Sequence, residues 1–168
     1  MLYVRKAEPG ELGDIMRIYR AAQDFMARTG NPNQWKHTHP ALSLVKSDIE
    51  NGTARVICDG TDGGRICGVF AMCEGADPTY SYIEGGKWLD DVRPYVTIHR
   101  IAGDQTAHGI LRCAAEHCRT RYSSVRADTH RENLIMQRAL EKNGFSRCGT
   151  IYLQNGDPRI AYQWVSAE

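Results

Sequence analysis

The 168-residue sequence has no long apolar run: its longest nearly apolar stretch, from Cys67 to Cys73, is far too short to cross a bilayer. It also has no excess of charge of one sign. The 21 basic residues stand against 20 acidic ones, which argues against disorder and against a nucleic-acid-binding module held by bulk charge. The first residues lack the basic start and apolar stretch of a signal peptide. We therefore expect a globular, cytoplasmic protein with no membrane segment and no nucleic-acid partner.

Cysteine and histidine are present, but not at the spacings that disulfides or metal sites need. None of the six cysteines belongs to a C-x-x-C pair, and a chain of this length can bury a sufficient core without disulfides, so we expect small buried thiols. His37 and His39 could contribute to a metal site, yet no further Cys, His or Asp cluster completes one nearby. The sequence therefore predicts no metal.

No repeat, low-complexity tract or Pro/Ser-rich linker divides the chain, so we expect one domain covering residues 1–168. Apolar residues recur at three- and four-residue steps from Leu12 to Met26, which predicts an amphipathic helix. Pro94–Ala102 is the strongest strand signal, and Thr129 with Glu132 fits the capping box of a later helix. The complete pattern is strand, two helices, three strands, helix, strand, helix and two strands. It predicts an α/β (α+β) fold, a mixed sheet with helices on both faces.

The second half of the sequence contains a specific combination of segments. Ile98–Ala102 is followed by a short glycine loop and a helix, then by Arg126–His130, and then by Asn133–Phe145, which ends in Glu-Lys-Asn-Gly-Phe. In this combination the sequence resembles the GNAT family of N-acetyltransferases, and the resemblance covers nearly the whole chain. It implies a mixed, mostly antiparallel sheet of six or seven strands, splayed between strands 4 and 5 to admit acetyl-CoA.

The loop after Ile98–Ala102 is the predicted cofactor site. A strand, a glycine-bearing turn and a helix N-terminus present free backbone N–H groups and the positive end of the helix dipole, which suits a pyrophosphate. The resemblance implies that the backbone at Ile101, Ala102 and Gly103 pairs with pantetheine. It also implies that the amides of Ala107, His108, Gly109, Ile110 and Leu111 bind the phosphates, and that Asn133 lies near the cofactor arm. The loop is shorter than the family pattern and contains Asp104, so an ordinary strand-to-helix turn is the alternative.

His99 is the candidate base. A lysine-like amine is only about 0.04% neutral at pH 7, and forming its neutral state costs about 4.6 kcal/mol, which a base can help to offset. His99 lies two residues before Ile101 and so shares its strand face, and arylalkylamine acetyltransferases have a histidine at the matching place. The alternative is a histidine hydrogen-bonded within the sheet. Many family members have a tyrosine acid where this chain has Leu140; Tyr152 is the substitute candidate, with water or simple packing as alternatives.

The predicted substrate-binding residues are Trp35, Tyr80 and Glu84, each with packing or solvation as the alternative role. Arg126 and Arg131 are expected to be surface charges, with contact to the CoA 3′-phosphate as the alternative. The resemblance implies acetyl transfer from acetyl-CoA to a primary amine by direct attack in a ternary complex, on a small molecule or a protein. The alternatives are a non-catalytic acyl-CoA-binding regulatory module and an enzyme acting on aminoacyl-tRNA, which the near-neutral charge disfavours. Homodimers are common in the family, and the sequence leaves the oligomeric state open.

Overall fold

Seven strands of the computed structural model, which describes residues 1–168, lie in one sheet. They are β1 (Leu2–Lys6), β2 (Ala54–Asp59), β3 (Arg65–Glu74), β4 (Val96–Gly103), β5 (Ser124–Thr129), β6 (Ser146–Tyr152) and β7 (Pro158–Val165). Their order across the sheet is β1-β2-β3-β4-β5-β7-β6. β4 and β5 are parallel and all other neighbours are antiparallel, which confirms the predicted mixed, mostly antiparallel sheet.

Four helices flank the sheet: α1 (Leu12–Arg28), α2 (Leu42–Glu50), α3 (Ile110–Arg119) and α4 (Leu134–Lys142). Alternate residues of β2 divide between two cores, because side chains along a strand point to opposite faces. Val56 and Cys58 pack with residues of α1 and α2, whereas Ile57 packs with residues of α3 and α4. Helices therefore cover both faces, as predicted. None of these helices combines the length and the apolar character that crossing a bilayer would require.

The start of α4 differs from the predicted capping box. Thr129 is the last residue of β5 and is fully buried, so it does not cap the helix. Asn133 is the N-cap instead, and its side chain accepts a hydrogen bond from the Met136 backbone N–H at 3.0 Å. The prediction was wrong because strand pairing with β7 extends through Thr129 and delays the helix by four residues.

Arg126 is buried, not a surface charge as the sequence analysis expected. Its side chain is 1% exposed, and its guanidinium lies 3.9 Å from the ring centres of both Trp88 and Tyr95. It also donates to the Asp91 carboxylate at 2.9 Å and to the Asp90 carbonyl at 3.1 Å. Two aromatic faces and two oxygen acceptors thus replace the water that an exposed arginine would bind.

Candidate active site

The sheet opens between β4 and β5. These strands pair only at Val96 with Val125 and at Thr97 with Arg126, and β4 then continues to Gly103 without a strand on that side. Two adjoining cavities of about 480 Å³ each fill the opening. We name them the His99 cavity and the Gly109 cavity after a residue on the wall of each. Five residues line both: Met26, Ile101, Leu111, Asn133 and Met136.

A bulge in β4 shapes the cavity walls. Arg100 has a positive φ of 51°, and the register with β3 shifts at this point. The Tyr19 hydroxyl donates to the Arg100 carbonyl at 2.8 Å, and the Arg100 guanidinium binds the Asp48 carboxylate through two hydrogen bonds of 3.0 and 2.9 Å. Because the bulge breaks the alternation of the strand, residues 98–101 all line the His99 cavity.

The Gly109 cavity contains a row of free main-chain donors. The backbone N–H groups of residues 107–112 donate no hydrogen bond within the chain. Gly109 is the residue before α3 and has a φ of 83°, and residues 107–112 all line this cavity. Because the helix dipole adds positive potential at the same point, the geometry suits an anion with several oxygens, such as a pyrophosphate.

Asp104 is paired and does not leave an uncompensated negative charge beside these donors. Its carboxylate, 3% exposed, accepts hydrogen bonds from Arg65 at 2.9 Å and Arg17 at 3.5 Å. It also accepts from the backbone N–H and the hydroxyl of Thr106, which closes the short loop. Burial alone would raise the pKa of Asp104, but the hydrogen bonds from Thr106 and Arg65 outweigh it and lower the pKa.

His99 and Asp77 form a hydrogen-bonded pair on the wall of the His99 cavity. His99 Nε2 lies 2.7 Å from Asp77 Oδ2, and the imidazole remains 22% exposed. Asp77 Oδ1 accepts from the backbone N–H and the hydroxyl of Thr79 at 2.9 and 2.7 Å. Burial would raise the pKa of Asp77, but the hydrogen bonds from His99 and Thr79 overcome it and lower the pKa to about 2. The Asp77 carboxylate is therefore ionised at neutral pH.

A second carboxylate lies on the other side of the imidazole. Asp128 Oδ2 is 3.9 Å from His99 Nδ1 and accepts a hydrogen bond from the Tyr80 hydroxyl at 2.6 Å. Burial, with Asp128 beside it, raises the pKa of Tyr80 well above its ordinary value, so this hydroxyl keeps its proton and donates. The arrangement therefore places the imidazole between two carboxylates.

Solved structures with the same fold cover almost the whole chain. An acetyltransferase of the GNAT family from Streptococcus agalactiae is 31% identical with a TM-score of 0.87, over 99% of this chain and 96% of that one. The chain belongs to the GNAT acetyltransferase family. Two further structures share the GNAT fold: a GNAT-family acetyltransferase from Listeria monocytogenes (17% identity, TM-score 0.68, 98% of this chain and 95% of that one) and Ard1 from Thermoplasma volcanium (15%, 0.64, 99% of each). Comparison with protein-family models and with curated proteins gave no match.

Most of the site residues that the sequence analysis predicted for this GNAT acetyltransferase lie on the walls of the two cavities. His99, Trp35, Ile101, Leu111 and Asn133 line the His99 cavity. The Gly109 cavity is lined by the predicted cofactor-binding residues Ile101, Ala102, Gly103, Ala107, His108, Gly109, Ile110, Leu111 and Asn133. The structure therefore brings the candidate base and the candidate cofactor loop to one continuous cleft.

Three predicted residues of the GNAT site do not reach the cleft. Tyr152 is exposed at the end of β6 and hydrogen-bonds to Glu84, and neither side chain lines a cavity. Tyr80 is 2% exposed and lies behind the wall, with its ring centre 5.9 Å from that of His99. Trp88 fixes Tyr80 by donating its indole N–H to the Tyr80 carbonyl at 3.0 Å. Tyr80 therefore supports His99 and Asp128, and Tyr152 and Glu84 lie outside the lining of the cleft.

Several polar residues of the GNAT cleft were not predicted from the sequence, among them Gln34, Asp77, Asp128 and Arg159. The structure has a 3₁₀ turn at Pro78–Tyr80, and Asp77-Pro78-Thr79 is a sequence typical of the start of such a turn. That pattern explains the local turn but contains nothing that would connect Asp77 with His99. Within the chain, no group of three or more His, Cys, Asp or Glu side chains lies close enough together to bind a metal ion.

Proposed function

We propose that the protein transfers the acetyl group of acetyl-CoA to a primary amine by direct attack in a ternary complex. The observation that supports this most strongly is the single cleft with two different ends. One end presents the free N–H groups of residues 107–112, and the other presents the His99–Asp77 pair. A phosphorylated thiol carrier and an amine can thus approach each other from opposite ends of the opening between β4 and β5.

The chain's own residues fit acetyl-CoA, which supplies an acetyl group activated as a thioester. The amides of residues 107–112 would bind its pyrophosphate, and the unpaired side of β4 at Ile101–Gly103 would run beside its pantetheine arm. Asn133 lines both cavities, and its side-chain amide already accepts from Met136 and donates to Gln34. It retains one N–H and one lone pair, with which it could bind the arm.

The Asp77 contact determines which ring nitrogen of His99 can act as a base. Because the ionised Asp77 carboxylate accepts from Nε2–H, neutral His99 has its lone pair on Nδ1. This nitrogen would take a proton from the incoming ammonium, directly or through water, and Asp128 would stabilise the resulting imidazolium. The freed amine nitrogen bonds to the acetyl carbon and the carbon–sulfur bond breaks. The nitrogen then loses its second proton and the leaving thiolate takes up one, which leaves an amide and the CoA thiol. No tyrosine lines either cavity, so we propose that water carries this proton from the nitrogen to the thiolate.

The cysteines support direct attack over an acetyl-cysteine intermediate. None of the six lines either cavity, and none forms a disulfide. Burial raises the pKa of Cys73 above its ordinary value and that of Cys118 to about 12. Because the thiolate is the reactive form, such thiols are poor nucleophiles.

The test measures thiol release from acetyl-CoA with a panel of primary amines. His99→Ala should lower kcat/KM by about 10²- to 10⁴-fold, the usual range for losing a general base, while acetyl-CoA affinity by calorimetry stays unchanged. Tyr152→Phe is the control and should leave both quantities at the wild-type value. Tight acetyl-CoA binding without transfer to any amine would overturn the proposal in favour of a non-catalytic acyl-CoA-binding module.

A further inference from the structure

Arg159, near the start of β7, has an unused binding edge on the wall of the His99 cavity. The residue is 7% exposed, and its guanidinium makes a single hydrogen bond, from Nη1 to the Pro158 carbonyl at 2.9 Å. Nε and Nη2 therefore have no partner in the protein. These two nitrogens form the side-on edge with which arginine binds a carboxylate through two parallel hydrogen bonds.

Two other guanidiniums in this part of the fold have partners that Arg159 lacks. Arg100 binds both oxygens of Asp48, and Arg126 lies between two aromatic rings and pairs with Asp91. Arg159 has neither an aromatic face nor a bound carboxylate. Because a buried charge without a partner is costly, a guanidinium kept in this state on a cavity wall indicates a ligand with a negative charge.

Two carboxylates lie near Arg159, but neither forms an ion pair with its guanidinium. Burial lowers the pKa of Arg159, and the negative charges of Asp128 and Asp157 act in the opposite sense. Lys36 also lines this cavity and pairs with no carboxylate. The carboxylates of Asp77 and Asp128 line the same cavity and can attract a cationic group. The cavity wall therefore has groups of both charge signs, the carboxylates of Asp77 and Asp128 for an ammonium group and the guanidinium of Arg159 for an anion.

We infer that Arg159 binds a carboxylate of the acceptor, so that the substrate class is a primary amine that also carries a carboxylate, as an amino acid does. The inference rests on the proposed function, because it assigns the acceptor of that same site. Asp77 and Asp128 would face the ammonium group beside His99, and the Nε–Nη2 edge of Arg159 would bind the carboxylate. An acceptor without the carboxylate would leave the buried guanidinium unpaired, which should lower kcat/KM for that acceptor about ten- to hundredfold.

The experiment compares amino acids with their own amides, for example leucine with leucinamide, at saturating acetyl-CoA. The amide keeps the size of the acceptor and its amine, and it removes the negative charge. For the wild type we expect kcat/KM for the acid to exceed that for the amide by at least tenfold. Arg159→Gln should reduce this acid-to-amide ratio at least tenfold, mainly through KM for the acid, and Arg159→Lys should give an intermediate ratio. The two amines differ in basicity, but this difference affects the wild type and the variant equally. It therefore cancels when the acid-to-amide ratios of the two proteins are compared.

Arg147→Gln is the matched control, because Arg147 is an exposed arginine on the neighbouring strand β6 and lines neither cavity. It should leave the acid-to-amide ratio at the wild-type value. Equal ratios for the wild type and Arg159→Gln would overturn the inference. A preference for diamines that Arg159→Gln does not change would also overturn it, in favour of an acceptor read by the carboxylates alone.

Failure of the proposed function gives a different result from failure of this inference. If no amine is acetylated, calorimetry of leucine and leucinamide with the CoA-bound protein still tests Arg159. Binding of leucine that Arg159→Gln abolishes would support the carboxylate site, and equal affinity for leucine and leucinamide would overturn it. Thermal unfolding and acetyl-CoA affinity of Arg159→Gln should match the wild type, which separates loss of the site from loss of the fold.

Discussion

The two ends of the cleft are built from different parts of the chain. The Gly109 cavity presents consecutive main-chain N–H groups of residues 107–112, whose direction depends on the φ of 83° at Gly109. The His99 cavity presents side chains from distant segments: His99 from β4, Asp77 from the turn before it, and Arg159 from β7. The first end depends on local backbone geometry, and the second depends on tertiary packing.

This difference indicates how each end should respond to substitution. Truncating a side chain at the Gly109 end removes no donor, because the donors are peptide groups. At the His99 end the imidazole is fixed by Asp77, and Asp77 accepts from Thr79. Behind them lie Tyr80, Trp88 and Tyr95, which we call the aromatic cluster; its ring centres are 5.1 Å (Tyr80–Trp88) and 6.3 Å (Tyr80–Tyr95) apart. A substitution at the His99 end should therefore also disturb the neighbouring side chains, because the members of a buried polar network share hydrogen-bond partners.

The largest effect is expected where Arg126 holds the aromatic cluster. Arg126→Ala removes a guanidinium stacked between Trp88 and Tyr95 and leaves a cavity between the two rings. We expect the free energy of unfolding to fall by about 3 kcal/mol, as for other large-to-small changes in a core. Urea unfolding measures this. Arg131→Ala, at an exposed arginine nearby in the chain, should change it by less than about 0.5 kcal/mol. Equal losses for the two variants would contradict the role of stacking.

The next effect concerns pH and the His99 end. The pKa of Asp77 is lowered from 3.8 to about 2, chiefly by the hydrogen bonds from His99 and Thr79 working against burial. A lowered carboxyl pKa contributes stability above pH 4, and that contribution is lost as the pH falls towards 2. The shift corresponds to about 2 kcal/mol. Asp77→Asn should therefore be less stable than the wild type at pH 7 by about that amount, and the two should converge near pH 2. A difference that does not change with pH would contradict the ionic contribution of Asp77.

The fold could be predicted from the sequence because its signals lie in neighbouring residues. The periodicity of Leu12–Met26, the strand at Pro94–Ala102 and the Asn-Gly-Phe ending after α4 are local patterns, and the structure confirms the order of elements and the GNAT fold. The loop before α3 is local too, so its glycine and its helix start could be proposed as an anion site. His99 could be proposed because it shares a strand with Ile101.

The His99 end could not be predicted to the same extent, because its chemistry depends on contacts between distant segments. Nothing in the sequence shows that Asp77 reaches His99 or that Arg159 faces the same cavity. Arg126 and Arg131 are the same residue type five positions apart, and only the tertiary position of Trp88 and Tyr95 makes one of them a core residue. Tyr152 was proposed from its place after a strand, but its partner Glu84 lies outside the cleft.

At the Gly109 end the prediction concerns backbone conformation. Gly109→Val should weaken acetyl-CoA binding at least tenfold, because a β-branched residue does not adopt a φ of 83° readily and would redirect the amides that follow. Gly75→Val is the matched control, since Gly75 has the same φ of 83° and both positions have open space around an added Cβ. The two variants should lose similar stability, but only Gly109→Val should lose affinity by calorimetry. Unchanged affinity would refute this placement of the phosphates.

The smallest effect is expected where the two ends meet. Gln34 Oε1, in the loop after α1, accepts from the side-chain amides of Asn31 at 2.9 Å and Asn133 at 3.0 Å, and so bridges the cleft to the start of α4. Gln34→Ala removes both bonds and should weaken acetyl-CoA affinity and raise the amine KM by about fivefold each, equivalent to about 1 kcal/mol. Asn33→Ala loses a more exposed bond to Glu132 and should change neither by more than twofold. If Gln34→Ala altered only one of the two constants, the Gly109 cavity and the His99 cavity would be independent sites that share a wall. If it altered both constants, the Gln34 bridge would set the width of the cleft for acetyl-CoA and for the amine together.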